Sequence, residues 1–177
     1  MNIIVYIATS LDGYIADKQG NIEWLTNIEN PENSDFGFTD FLSEIDAIVM
    51  GRITFETIMG FDIKWPYSQP VFVLSDTLKK LPLSLPSNVN ILSGSTSEIV
   101  KTLKFNNYNR VYIDGGKTVQ SFIGEGLVDE LIITKVPILL GSGIPLFTSN
   151  NNKIEFTHYK TEVYLNSLVK SHYKIKK

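Results

Sequence analysis

The chain of 177 residues contains no cysteine. That excludes disulfides and thiolate metal sites, and it fits a reducing compartment. An excess of one charge is missing too: 16 Lys and Arg stand against 19 Asp and Glu, a net charge of −3. No broad field therefore favours nucleic acid or an anionic membrane. No run approaches the roughly 18 apolar residues that span a bilayer. The start, MNIIVYIATSLDG, has no basic residues ahead of its apolar stretch and breaks at Asp12-Gly13. It reads as a first strand and not as a secretory signal. Histidine is scarce, His158 and His172 only, both far in sequence from the glycine turns described below. No nucleophile stands beside a base, no repeat or low-complexity tract occurs, and no metal site is expected. The expectation is one soluble, cytoplasmic domain over residues 1–177. Its 43% hydrophobic and 20% charged composition suits a globular core.

What is present alternates strand and helix. Asn2–Thr9 is a near-continuous, β-branched apolar run, the pattern of a strand buried on both faces. Ser10–Gly20 and Glu29–Asp35 read as loops, and Phe36–Ile45 as a short helix. Asp46–Met50, Pro70–Ser75, Val89–Leu92 and Arg110–Ile113 read as strands. A helix is expected from Gly51-Arg52 to about Met59. Another, capped by Ser95 or Thr96, should run to about Phe105, and a third should cover Thr118–Gly124. A strand begins within Leu127–Pro137. Ile154–Val163 and Leu168–Ile175 form an antiparallel pair turning at Asn166-Ser167, and Ser149–Lys153 is a polar surface loop. The pattern predicts a mostly parallel α/β sheet with an antiparallel edge.

Two turns carry the functional signal. Asp114-Gly115-Gly116-Lys117-Thr118 lies where a strand enters a helix, and so does Met50-Gly51-Arg52-Ile53-Thr54. The first N–H groups of a helix lack internal partners, and its dipole is positive there. A glycine lets an anion approach them closely. The alternative is a tight turn without a ligand; Arg52 alone reads equally as a solvated arginine. The spacing is not GxGxxG, so the usual dinucleotide fingerprint is absent. Ser75 and Gly94 also stand at or just past strand ends, where open α/β sheets bind ligands.

Taken in order, several segments resemble the dihydrofolate reductase superfamily. The branch is that of the reductase domain of the riboflavin biosynthesis protein RibD. The segments are Ser10–Ala16, Met50–Glu56, Val73–Ser75, Ile113–Gly116, Gly126–Leu131 and Pro137–Phe147. The resemblance implies a three-layer fold with helices on both faces of a mostly parallel central sheet. It also implies an NADPH-dependent reductase acting on a pterin-like or pyrimidine-like ring. By position, Gly51, Arg52 and Thr54 would hold adenosine-side phosphates. Ser75 would lie near the ribose 2′-phosphate, Gly94 is a further cofactor-binding candidate at its strand end, and Gly115, Gly116, Lys117, Thr118 and Val119 would bind the pyrophosphate. Ala8 and Ile15 would flank the nicotinamide. A cis peptide between the paired glycines, as in dihydrofolate reductases, is implied for Gly115–Gly116. Asp35 falls where those enzymes place a substrate carboxylate; it is either a buried proton source with a raised pKa or a cap on the following helix. Asp12 is expected to bond its own loop. Trp24, Phe36, Phe38, Trp65 and Tyr67 could line an aromatic pocket or pack as core, whereas Phe41 and Phe55 read as core.

Departures bear on substrate and cofactor. Trp24–Asp46 contains no Lys or Arg, where RibD domains grip a ribosyl phosphate. Gly60–Pro70 has only Lys64, where dihydrofolate reductases carry an arginine for the folate carboxylate. Asp76 follows Ser75 and would repel a 2′-phosphate. The zinc deaminase half of the bifunctional enzyme needs cysteines and is absent. Dihydrofolate reduction and a non-catalytic NADP-binding module remain the alternatives. The partners expected are a small-molecule substrate and a second copy in a homodimer, with neither nucleic acid nor membrane.

Overall fold

The computed structural model describes residues 1–61, 63–149 and 153–176. Asn150–Asn152 of the expected polar loop lie outside them. The strands are β1 (Asn2–Ser10), β2 (Tyr14–Ala16), β3 (Ala47–Gly51), β4 (Val71–Leu74), β5 (Val89–Leu92), β6 (Arg110–Asp114), β7 (Glu130–Val136), β8 (Ile144–Pro145), β9 (Phe156–Tyr164) and β10 (Leu168–Ile175). The helices are α1 (Glu23–Thr26), α2 (Phe38–Ser43), α3 (Arg52–Met59), α4 (Thr96–Phe105) and α5 (Gly116–Gly124). Eight strands form one sheet in the order β5-β4-β3-β6-β1-β7-β10-β9. The pairs from β5 through β7 are parallel; β10 is antiparallel to β7 and to β9.

The apolar run of β1 explains its central place. Ile3 and Val5 enter one core, with Val111, Ile113, Val119, Phe122, Leu131 and Ile99. Ile4 enters the other, with Phe41, Ile48, Met50, Phe55, Tyr67 and Tyr112. Each such side chain, removed from water, contributes about 1.5–3 kcal/mol. The first core lies under α4 and α5 and the second under α2 and α3, so helices cover both faces. β9 is exposed along most of its length, as suits an edge. Among the described residues no helix is long and apolar enough to cross a membrane.

Several boundaries differ from expectation for local reasons. α2 starts at Phe38, not Phe36, because Phe36 (φ 53°) and Gly37 (φ 79°) are left-handed. α5 starts two residues early, at Gly116, directly after the positive-φ Gly115 that ends the turn. The β9–β10 turn centres on Leu165 (φ 53°) and Asn166 (φ 49°), one residue earlier than expected; two positive φ angles match the twist of a tight hairpin. The loop Ser10–Gly20 contains β2, which pairs with β8, and Glu23–Thr26 forms a single helical turn. Such short pieces carry no periodic signal.

Candidate active site

All strands from β5 to β7 run the same way, so their C-terminal ends share one rim. Three helices start there, with different ends. α4 is closed by its own residues: the Ser95 hydroxyl accepts from Glu98 N, and the Glu98 carboxylate accepts from Ser95 N. α3 and α5 begin at Gly51 and Gly115, without a side-chain cap and without an acid in the first turn. In α5 the first internal bond runs from Val119 N to Gly115 O (2.9 Å), so the N–H groups of Gly116, Lys117 and Thr118 lack helical acceptors. Those three donors and exposed Lys117 suit an anionic group. Val119 does not, being fully buried with its N–H engaged.

The two open turns interlock. A Cβ on Gly115 would run into Thr54 Oγ1, and one on Gly51 would stand 2.9 Å from Thr118 Oγ1. A Cβ on Gly116 would meet Ile15 Cδ1 at 2.6 Å. Part of the reason for these glycines is therefore the close approach of α3, α5 and β2, with Gly115 also at φ 89°. The expected cis peptide at Gly115–Gly116 is not found; no cis bond occurs among the described residues. The positive φ of Gly115 turns the chain instead.

A cleft of about 370 Å3 opens beside α5, lined by Ser75, Asp76, Ser93, Gly94, Lys117 and Thr118 among others. It brings four of the residues expected at the cofactor together, with Asp76 facing the same space. The Ser75 hydroxyl already accepts from Leu78 N (2.9 Å) and Thr77 N (3.2 Å), shaping its own turn. Gly94 (φ 125°) leaves room for the Glu98 carboxylate of the cap. Arg52 lies at the rim but pairs with Glu56 at 2.6 Å, an exposed i,i+4 bridge. Ala8 is half-buried on the α2 face of β1, opposite Thr134 of β7. Open helix ends and a lysine beside a cleft are donors that anionic phosphate groups require, so the rim fits a phosphate-bearing cofactor.

The substrate side differs more. Asp35 is exposed; its carboxylate accepts from Gly37 N (2.9 Å) and Thr39 N (2.8 Å). Hydrogen bonds from the Thr39 side chain and these backbone groups hold its pKa below the usual carboxylate value. Asp35 therefore takes the capping role of the two considered, and it lacks the burial and raised pKa of a proton source. The raised pKa belongs instead to Asp114, half-buried at the end of β6 beside the paired glycines. Burial pushes its carboxyl up to about 6, against hydrogen bonds from Gly115 N–H (2.8 Å) and the Tyr112 hydroxyl. In the sequence Asp114 stands within the glycine motif with no role of its own; the available signal is a carboxylate directly after the buried Val111-Tyr112-Ile113.

The aromatic candidates do not surround one space. Trp65 packs on Phe55 (5.9 Å) and Tyr67 (5.4 Å), and buried Tyr67 senses the charge of Asp114. Phe36 packs on Tyr164 (5.5 Å), beside β9. Between them Phe38 and Phe41 of α2 cover Tyr6 and Tyr112. Phe41 and Phe55 are core, as expected. Trp24 and Trp65 are half-buried, and each keeps a buried indole N–H without a protein partner. Asp12 is structural, but it ties its loop to another: it accepts from Ser10 Oγ (2.6 Å), Gly141 N (2.7 Å) and Leu140 N (3.2 Å).

Known proteins share this arrangement. A model of the RibD C-terminal domain family matches residues 1–170. A protein from Shewanella sp. PV-4, assigned provisionally to riboflavin biosynthesis, is 46% identical over the full length of both chains, with a TM-score of 0.94. A diaminohydroxyphosphoribosylaminopyrimidine deaminase/5-amino-6-(5-phosphoribosylamino)uracil reductase from Thermotoga maritima superposes with a TM-score of 0.75 at 15% identity; 99% of this chain covers 56% of that one. Dihydrofolate reductase from Enterococcus faecalis, complexed with NADP(H) and RAB-propyl, gives a TM-score of 0.65 at 15% identity, covering 99% of this chain and 97% of that one. The last two show the dihydrofolate reductase-like fold, and the family match over nearly the whole length shows that the chain belongs to the RibD C-terminal domain family.

Proposed function

We propose that the chain is a reductase that uses NADPH to reduce a pyrimidine-like or pterin-like ring, in the manner of the 5-amino-6-(5-phosphoribosylamino)uracil reductases. The observation that carries this reading is one rim with two uncapped helix ends and, beside them, a carboxyl raised to about 6. The names of the relatives support a reductase, and the dihydrofolate reductase complex supports the choice of cofactor. When bound, the cofactor supplies the hydride. The residues of the chain do the rest. The α5 turn and Lys117 hold phosphate, and the cleft with Ser75 and Gly94 holds the adenosine end. Asp114 bonds the ring edge and keeps its proton up to about pH 6. Ring recognition falls to Asp114, because the buried cation on the same sheet face, Lys170, is already occupied by protein acceptors.

Oxidation of NADPH, followed with a panel of pterins and aminopyrimidines that includes the ribosylaminouracil phosphate, tests the reading. Turnover on at least one ring is expected. It should slow as pH rises through about 6, because Asp114 then loses its proton. Binding of NADPH without turnover on any ring would favour a non-catalytic nucleotide-binding module. We also propose a homodimer, formed through the open outer edge of β9, where Tyr159 and Val163 are exposed.

A further inference from the structure

Lys170 lies in β10 with only 3% of its surface exposed. Lysine is almost never buried this deeply unless paired. Its three donors meet three acceptors: Phe36 O at 2.9 Å, Tyr164 Oη at 2.7 Å and Glu162 Oε2 at 3.3 Å. Glu162 stays charged. Burial opposes this, but hydrogen bonds from His172, Tyr164 and Lys160, with Lys170 close by, outweigh it and hold its pKa at about 2. The Phe36 carbonyl accepts a second hydrogen bond, from the Tyr6 hydroxyl at 3.2 Å. Two donors from different strands, buried Lys170 and half-buried Tyr6, thus converge on one loop carbonyl.

That loop is strained. Phe36 has φ 53°, which is rare for a bulky residue. Gly37 follows at φ 79°, and a Cβ there would stand 3.1 Å from Lys170 Nζ and 3.3 Å from Tyr164 Oη. A left-handed phenylalanine persists only where its surroundings over-determine it. The turn fixes where α2 begins, and α2 sets Phe38 and Phe41 on Tyr6 and Tyr112. The Tyr112 hydroxyl donates to Tyr6 O at 3.1 Å and lies close enough to the Asp114 carboxyl to influence its charge. One contact path therefore runs from β10 across the sheet face to the carboxyl assigned to substrate.

We propose that Lys170 is a positioning residue, which locks the Ser34–Gly37 turn in its left-handed form and so seats α2 over the Tyr6–Tyr112–Asp114 row. The relevance of this to catalysis rests on the reductase reading above. The test needs no ligand. Lys170→Met in the full chain should speed amide exchange at Gly37–Phe41 at least tenfold while leaving α4 and α5 protected. It should also shift the Phe36 carbonyl carbon resonance, through loss of a hydrogen bond. Water admitted beneath α2 should lower the Asp114 titration midpoint, read by carboxyl carbon NMR, by at least half a pH unit. Tyr164→Phe keeps the lysine but removes one acceptor; it should move the same signals in the same direction by less, and it serves if Lys170→Met does not fold. Unchanged exchange in the turn overturns the proposal. So does a loosened turn with the Asp114 midpoint unmoved, since Lys170 would then be structural only. The affinity for NADPH, measured separately, should stay within twofold of wild type. Loss of the reductase reading would show there and not in these signals.

Discussion

Asp35 and Asp114 carry the same chemical group in opposite settings. Asp35 is solvated and bonded to backbone N–H groups, which stabilises its charge. Asp35→Ala should cost about 1 kcal/mol in urea unfolding, the usual worth of such a cap, and leave the pH profile of any activity unchanged. For Asp114, burial disfavours the charge. Its folded pKa of about 6 lies above the unfolded value. Its contribution to stability is therefore fully present below about pH 4 and lost as pH rises through about 6. Asp114→Asn should accordingly unfold later than wild type at pH 8, by up to about 3 kcal/mol, with the difference vanishing below about pH 4. Activity should fall by on the order of 10²-fold or more. A variant that kept full activity with an unchanged pH profile would remove Asp114 from the chemistry.

At the scale of elements, the glycine turns have two jobs that are separable by substitution. Gly115→Ala must place a Cβ at φ 89° and into Thr54. It should destabilise the fold by more than 2 kcal/mol, and Thr54→Ala should restore only part of this in thermal unfolding, because the backbone strain remains. Recovery of the whole loss would mean that the contact alone required glycine. The turns were legible in the sequence because glycine after a β-branched run interrupts both periodicities. So was the central β1, whose Ile3-Ile4-Val5 fills both cores. The capping box at Ser95 and Glu98 showed for a similar reason: two side chains three residues apart complete it. The start of α2 was not legible, since Phe36 reads as helical, whereas in the fold it is left-handed in a turn whose carbonyl is bonded by Lys170 and Tyr6, both distant in sequence. Asp114 was hidden likewise: its raised pKa comes from burial supplied by the fold and not by its neighbours in the chain.

At the scale of the molecule, sheet order brings the sites together. Parallel strands put the starts of α3, α4 and α5 on one rim, and only α4 closes itself with side chains. The opposite edge, β9, is nine residues long with an open side. A dimer is expected in sedimentation at micromolar concentration, and a monomer there would contradict pairing along this edge. In the proposed function, the open ends of α3 and α5, with Lys117 and the adjoining cleft, hold the phosphates of a reduced nicotinamide dinucleotide. Calorimetric titration of the full chain with NADPH tests it most directly. Saturable one-to-one binding, weakened at least tenfold by Lys117→Glu, is expected. An absence of binding up to millimolar NADPH, or affinity indifferent to the charge at residue 117, would contradict it.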